Sequence, residues 1–179
     1  GFGSTLIQSL TGFGLSIVST PLFLMVYDPK QVVLILQVIC VVINIFFAIA
    51  LRKNVDYRFL LILFIGSLLG QPLGLLIFQI APNNILKIFV SLIILFFLII
   101  MQLNHKKITE TTLKTGITGV LSGILTTATS MGGPPLILYL ANANRDKVSM
   151  RATCIAYFAI TNISAIIIFL MGNTDFTFA

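Results

Sequence analysis

The chain has 179 residues, of which 58% are hydrophobic and 9% charged, with a mean hydropathy of +1.08 and no tryptophan. Soluble domains carry about a quarter charged residues, so this composition excludes a water-soluble fold and predicts an all-α polytopic membrane protein. The formal charge of +6 does not mark a nucleic-acid binder, because the eleven Lys and Arg residues fall in short clusters between apolar runs, as they do in cytoplasmic loops of membrane proteins.

Residues 1–27 are apolar but broken by Thr11-Gly12-Phe13-Gly14, with Pro21-Leu22 following. Four later segments, 32–51, 59–80, 85–103 and 150–171, each match the length of about 20 apolar residues that one crossing needs. On the first, Gln37, Cys40 or Val41, and Asn44 share a face. On the second, Gly66, Gly70 and Gly74 recur every fourth residue and predict a groove for close helix approach. Pro72 predicts a kink in that helix, and its neighbour Gln71 a structural hydrogen bond. The third holds Ser91 as its only polar interior residue before Gln102 and is expected to face lipid. On the fourth, Thr153, Tyr157 and Thr161 form a stripe with Asn162 beside it. Cys40 and Cys154 read as small apolar-segment thiols, and His105 as a loop residue beside Lys106 and Lys107.

Segment 114–142 fits no simple crossing. As one helix it would be about 42 Å long, against a hydrocarbon thickness of about 30 Å. Its middle reads Thr126-Thr127-Ala128-Thr129-Ser130-Met131-Gly132-Gly133-Pro134-Pro135, where paired glycines free the backbone and paired prolines delete two N–H donors. Either a re-entrant hairpin or one crossing made of two offset half-helices accounts for the length. The hairpin puts nine basic residues on one side and only Lys30 and Lys87 on the other, whereas a single crossing divides them almost evenly. The positive-inside bias favours the hairpin.

The chain also resembles itself. A shift of 118 positions pairs Gly1 with Gly119, Ser4 with Ser122, Thr11 with Thr129, Gly14 with Gly132 and Asn44 with Asn162. The reading is a duplicated multi-helix repeat with Gly/Pro-broken segments: 1–113 as the first repeat and 114–179 as the beginning of the second, in a piece of a longer protein. Such repeats, with discontinuous helices meeting near the midplane, recur in transporters.

All five acids, Asp28, Asp56, Glu110, Asp146 and Asp175, fall in loops or at segment ends, so the interior offers no carboxylate for a cation or a proton relay. Half-helix N-termini present free N–H groups and partial positive charge, which suits an anion. The candidate substrate-binding residues are Gly12, Phe13 and Gly14 at the first break, Thr129, Ser130, Gly132, Gly133 and Pro134 at the second, and Asn44, Thr153 and Asn162 on the helices that follow. No catalytic residue, metal site or cofactor is expected. Ser122-Gly123 looks superficially like a serine nucleophile, but no histidine lies in a membrane segment to serve as its base. The expected partners are a small-molecule anion and the lipid bilayer, with no nucleic acid and with homo-oligomerisation left open. A membrane scaffold without transport is the alternative.

The pattern Gly-x-x-Ser-Gly at 119–123, then Gly-Gly-Pro-Pro-Leu-Ile-Leu-Tyr-Leu at 132–140, a charged turn and Arg151-Ala152-Thr153, resembles the sulfite exporter TauE/SafE family of membrane permeases. The Thr11–Gly14 break with Pro21-Leu22 and the Gly66/Gly70/Gly74 helix resemble it too, although many members carry a longer glycine run at the first break. The resemblance implies a duplicated bundle of about eight membrane segments with a Gly-rich break near the start of each half. It also implies transport of sulfur-containing anions such as sulfite or sulfonates, from a bacterial inner membrane.

Overall fold

Three aspartates mark where helices begin. The computed structural model describes residues 20, 22–82, 84–86, 88, 91–92, 95–96, 99, 111–141 and 146–172. Gly12, Phe13, Gly14 and His105 lie outside the described residues. Helix α1 spans Pro29–Leu51 and follows Asp28, with Pro29 at a first-turn position where its missing N–H deletes no helical bond. A 3-10 turn, Arg52–Asn54, leads to α2, Tyr57–Ile80, whose first turn is capped by the Asp56 carboxylate accepting from the Phe59 N–H at 3.1 Å. Helix α3 is Thr112–Thr129, α4 is Gly133–Ala141, and α5 is Lys147–Met171, capped by Asp146 accepting from the Ser149 N–H at 3.1 Å. No strand occurs among the described residues. α1, α2 and α5 begin earlier than the apolar runs suggest, because their first turns are made of polar capping residues that hydropathy excludes.

Pro29–Asn54, Tyr57–Ile80 and Val148–Met171 are each long and apolar enough to cross a membrane. Val38, Val42, Phe46 and Ile49 on α1, and Leu61, Ile65, Leu69, Leu73 and Leu76 on α2, point outward. A face this apolar is stable against lipid and not against water. Ile88, Leu92, Leu95, Phe96 and Ile99 are likewise exposed, in keeping with the lipid-facing segment the sequence predicts.

The direction of each helix follows from its contacts. Gly66 of α2 meets Gly116 and Gly119 of α3, Gly70 meets Val120 and Ile124, and Gly74 meets Ile124 and Thr127, so α2 and α3 run parallel. The approach is backbone to backbone: a Cβ added at Gly70 would stand 2.1 Å from the Val120 carbonyl oxygen, and one at Gly123 would stand 2.3 Å from that of Ser67. Helix α5 also runs parallel to α2. The Asp56 N–H donates to Thr153 Oγ1 at 2.9 Å near their starts, Gln71 Nε2 donates to the Thr161 carbonyl at 3.0 Å midway, and Gln79 Nε2 donates to the Gly172 carbonyl at 3.0 Å at their ends. Helix α1 runs the other way, since Lys30 donates to the Gln79 carbonyl at 3.3 Å and Val33 and Leu34 share a core with Phe78 and Phe169.

Helix α4 folds back along α3. The Ser122 hydroxyl donates to the Gly132 carbonyl, and the Thr115 and Tyr139 hydroxyls share a 2.9 Å hydrogen bond. The segment is therefore a hairpin, and α5 starts at the same end of the bundle as α2 and α3. Two offset half-helices in one crossing would have reversed α5 relative to α2. A second core of Phe59, Leu63, Leu136, Tyr139, Leu140, Tyr157 and Phe158 holds α4 between α2 and α5. Arg58 and Lys114 belong to the first turns of α2 and α3 and Arg151 to the second turn of α5 at this end, with Arg52 and Lys53 just past α1, while Lys30 lies at the other.

Candidate functional site

The hairpin turns at Ser130, the one non-glycine residue with positive φ (58°) among the described residues. Its N–H donates to the Thr126 carbonyl at 2.9 Å and closes α3. A left-handed cap is usually glycine, because a side chain there meets the following carbonyl and costs roughly 1–2 kcal/mol. From Ser130 the chain passes back along α3, so that Gly132 lies beside Ser122, about two turns short of the hairpin tip. Helix α4 consequently starts at mid-depth in the bundle. A Cβ at Gly132 would overlap the Thr126 hydroxyl and press on the Ser122 carbonyl, so only glycine fits there.

An α-helix leaves its first four N–H groups without intrahelical partners. In α4, two of those positions are Pro134 and Pro135, which have no N–H. The donors left at the helix start are those of Gly132 and Gly133, and neither meets an acceptor among the described residues. Both residues are buried, as are Pro134 and Pro135. The positive end of the α4 dipole is thus narrowed to two adjacent N–H groups inside the protein.

Neutral polar side chains converge on the same level. Tyr157 of α5 has no solvent exposure, and its hydroxyl faces Ser122 of α3, Ser67 of α2 and Thr161 of α5 without a well-formed hydrogen bond to any of them. Gln71, one turn along α2 from Ser67, donates to the Thr161 carbonyl and, at 2.8 Å, to Ser164 Oγ, while its Oε1 has no partner. Buried polar groups are nearly always satisfied; among the described residues the Tyr157 hydroxyl and Gln71 Oε1 are exceptions.

The predicted site residues divide into three groups. Gly132, Gly133 and Pro134 stand at this centre. Thr129 and Ser130 stand at the hairpin tip, toward the α2 C-terminal end; Thr129 Oγ1 donates to the Leu125 carbonyl at 2.7 Å, whereas the buried Ser130 hydroxyl is unpartnered. The rest lie elsewhere. Thr153 accepts from Asp56 and donates to the Ser149 carbonyl at 2.7 Å, a stitch between helix starts. Asn162 Nδ2 donates to the Phe158 carbonyl of its own helix at 2.7 Å. Asn44 is fully buried on α1 with both polar atoms open, two turns along the same face from Gln37, which is in the same state.

Ser67, Ser122, Thr126 and Tyr157 are the residues that sequence reasoning did not assign to a site. Ser67 and Ser122 each adjoin a helix-packing glycine, Gly66 and Gly123, which is the only local hint. At the basic end, Asp56, Arg58 and Phe59 of α2 face Thr111, Thr112 and Thr115 at the head of α3 across a cavity of about 310 Å³. Thr115, joined to Tyr139 of α4, forms part of its wall.

A family model described as Sulfite exporter TauE/SafE matches residues 1–179. No curated protein and no solved structure matches the chain.

Proposed function

Because the chain belongs to the sulfite exporter TauE/SafE family, and so to a family of membrane transporters, we propose that it moves a small sulfur-containing oxyanion, sulfite or an organosulfonate, through the centre of the α3–α4 hairpin. The observation that carries the proposal is the start of α4: two buried N–H groups at a helix N-terminus, beside an unpartnered tyrosine hydroxyl, at mid-depth in an apolar bundle. Such a terminus binds oxyanions without a basic side chain.

The cavity by Arg58 supplies an entrance from the basic end, where the cation raises the local anion concentration. Thr115 at its wall is about 10 Å along α3 from Ser122. On the positive-inside bias this end is cytoplasmic, in a bacterial inner membrane. The first break, with Gly12, Phe13 and Gly14, would supply the matching half of the site if 1–113 and 114–179 are repeats, and one half would rock against the other to alternate access. Ser122 is a tie to the Gly132 carbonyl rather than a nucleophile, which leaves transport as the better use of this geometry.

Purified protein in proteoliposomes tests the proposal. Flux of sulfite or a sulfonate above protein-free vesicles is expected, and Gly133→Leu, with its added side chain at the start of α4, is expected to abolish it. Absence of flux for sulfite, sulfonates and carboxylates alike, with Gly133→Leu indistinguishable from wild type, would sink it.

A further inference from the structure

Among the described residues, the side chains that gather by Tyr157 and Ser122 at the level of the α4 start are uncharged: Ser67 from α2, Ser122 and Thr126 from α3, Tyr157 and Thr161 from α5. The nearest charged residue on α5, Arg151, is about 9 Å toward the basic end along the helix, and Arg58 and Lys114 are about 12 Å or more from Ser67 and Ser122 along theirs. Residues 1–27 contain no charged residue at all. An anion at this centre is therefore held by dipoles alone. Moving an ion out of water costs free energy that rises with the square of its charge, whereas its attraction to fixed dipoles rises only in proportion to the charge. Going from one negative charge to two quadruples the penalty and merely doubles the gain.

The open groups also have a pattern. The Gly132 and Gly133 N–H groups and the Tyr157 hydroxyl are donors, whereas Gln71 Oε1 is an acceptor. Its assignment is fixed by chemistry, since only the amide nitrogen can donate to the Thr161 carbonyl. A fully deprotonated oxyanion gives a buried acceptor nothing and leaves it unmet. An oxyanion that keeps one O–H satisfies it.

We infer that the transported form is the singly charged, protonated oxyanion, hydrogen sulfite rather than sulfite, with its O–H given to Gln71 Oε1; this rests on the start of α4 being the transport site. The proton then crosses on the substrate, and the protein interior needs no titrating relay. Dianions such as sulfate are rejected for want of a counter-charge.

The test measures sulfite flux in proteoliposomes of the full chain, above protein-free vesicles, across a pH series, with methanesulfonate as a monoanion whose charge does not change. Sulfite flux is expected to fall roughly tenfold per pH unit above the ion's own pKa while methanesulfonate flux stays level. Sulfate in excess is expected to inhibit neither. In Gln71→Leu, which keeps the donors and removes the acceptor, the sulfite-to-methanesulfonate flux ratio is expected to drop about tenfold, the equivalent of one lost hydrogen bond of about 1.4 kcal/mol. If that variant does not fold, the wild-type pH series decides alone. Methanesulfonate flux beside a pH-independent sulfite flux, or strong inhibition by sulfate, overturns the charge selection and leaves the transport site standing. No flux of either anion at any pH overturns both.

Discussion

Two regions of the bundle are built from the same small and hydroxyl-bearing residues and behave in opposite ways. Along the α2–α3 seam, Gly66, Gly70 and Gly74 of one helix and Gly119 and Gly123 of the other let the two backbones touch. Beside α4, at the same depth and only a helix face away, Ser67, Ser122, Tyr157 and Gln71 leave a hydroxyl and an amide oxygen unmet. Without a hydrophobic force between helices in lipid, close packing is what gives the seam its stability. The centre does the reverse: it keeps polar groups in the protein interior and leaves them short of partners. The seam is a fixed wall, whereas the centre holds buried polar groups without partners.

Substitutions should separate the two. The largest effect is expected in the seam: Gly70→Ala forces a Cβ against the Val120 carbonyl and should lower stability by about 1–3 kcal/mol, read as a lower Tm in detergent. Gly70→Leu should yield no folded protein. Ser122→Ala spans both regions, because it unties the Gly132 carbonyl and removes a hydroxyl from the centre. A loss of about 1–2 kcal/mol together with reduced flux is expected. Thr153→Val removes the stitch to Asp56 and the bond to the Ser149 carbonyl, both away from the start of α4, so a loss of about 1 kcal/mol with flux unchanged should follow. The smallest effect belongs to Gly116→Ala. A Cβ there meets nothing within 4 Å, and the change in stability should stay within about 0.5 kcal/mol. A large loss there would mean that the seam extends farther than the contacts at Gly66 and Gly119 indicate.

Much of the framework is legible in the sequence because the bilayer imposes it. Apolar length gives the crossing helices, the four-residue glycine spacing gives the packing face of α2, and the basic residues around the hairpin ends give its return to the starting side. What the sequence does not display is pairing. Nothing near Gly66 names residues 116–123 as its partner, since parallel helices separated by about 50 positions carry no local signal. The polar centre depends on that pairing: Ser67 and Ser122 both come to face Tyr157 only because α2 and α3 lie in register. Composition flagged Ser130–Pro135 as one feature, yet the chain doubles back within it, so Ser130 closes α3 near one end while Gly132 and Gly133 open α4 at mid-depth. Thr153 and Asn162 are legible as polar groups in membrane helices, but their hydrogen-bond partners are not. Their side chains bond to a neighbouring helix start and to their own backbone, the commoner use of Thr and Asn in such helices.

The account turns on whether an oxyanion is held between the start of α4 and the Tyr157 hydroxyl, and ligand-induced stabilisation measures that most directly. Tyr157→Phe removes a hydroxyl that has no partner, so the unliganded Tm should barely change. Wild-type protein should gain thermal stability in a methanesulfonate titration, as any native-state ligand produces. In Tyr157→Phe the titration midpoint should move to about tenfold higher concentration, while Thr153→Val keeps the wild-type midpoint. An unchanged midpoint in Tyr157→Phe would contradict the account.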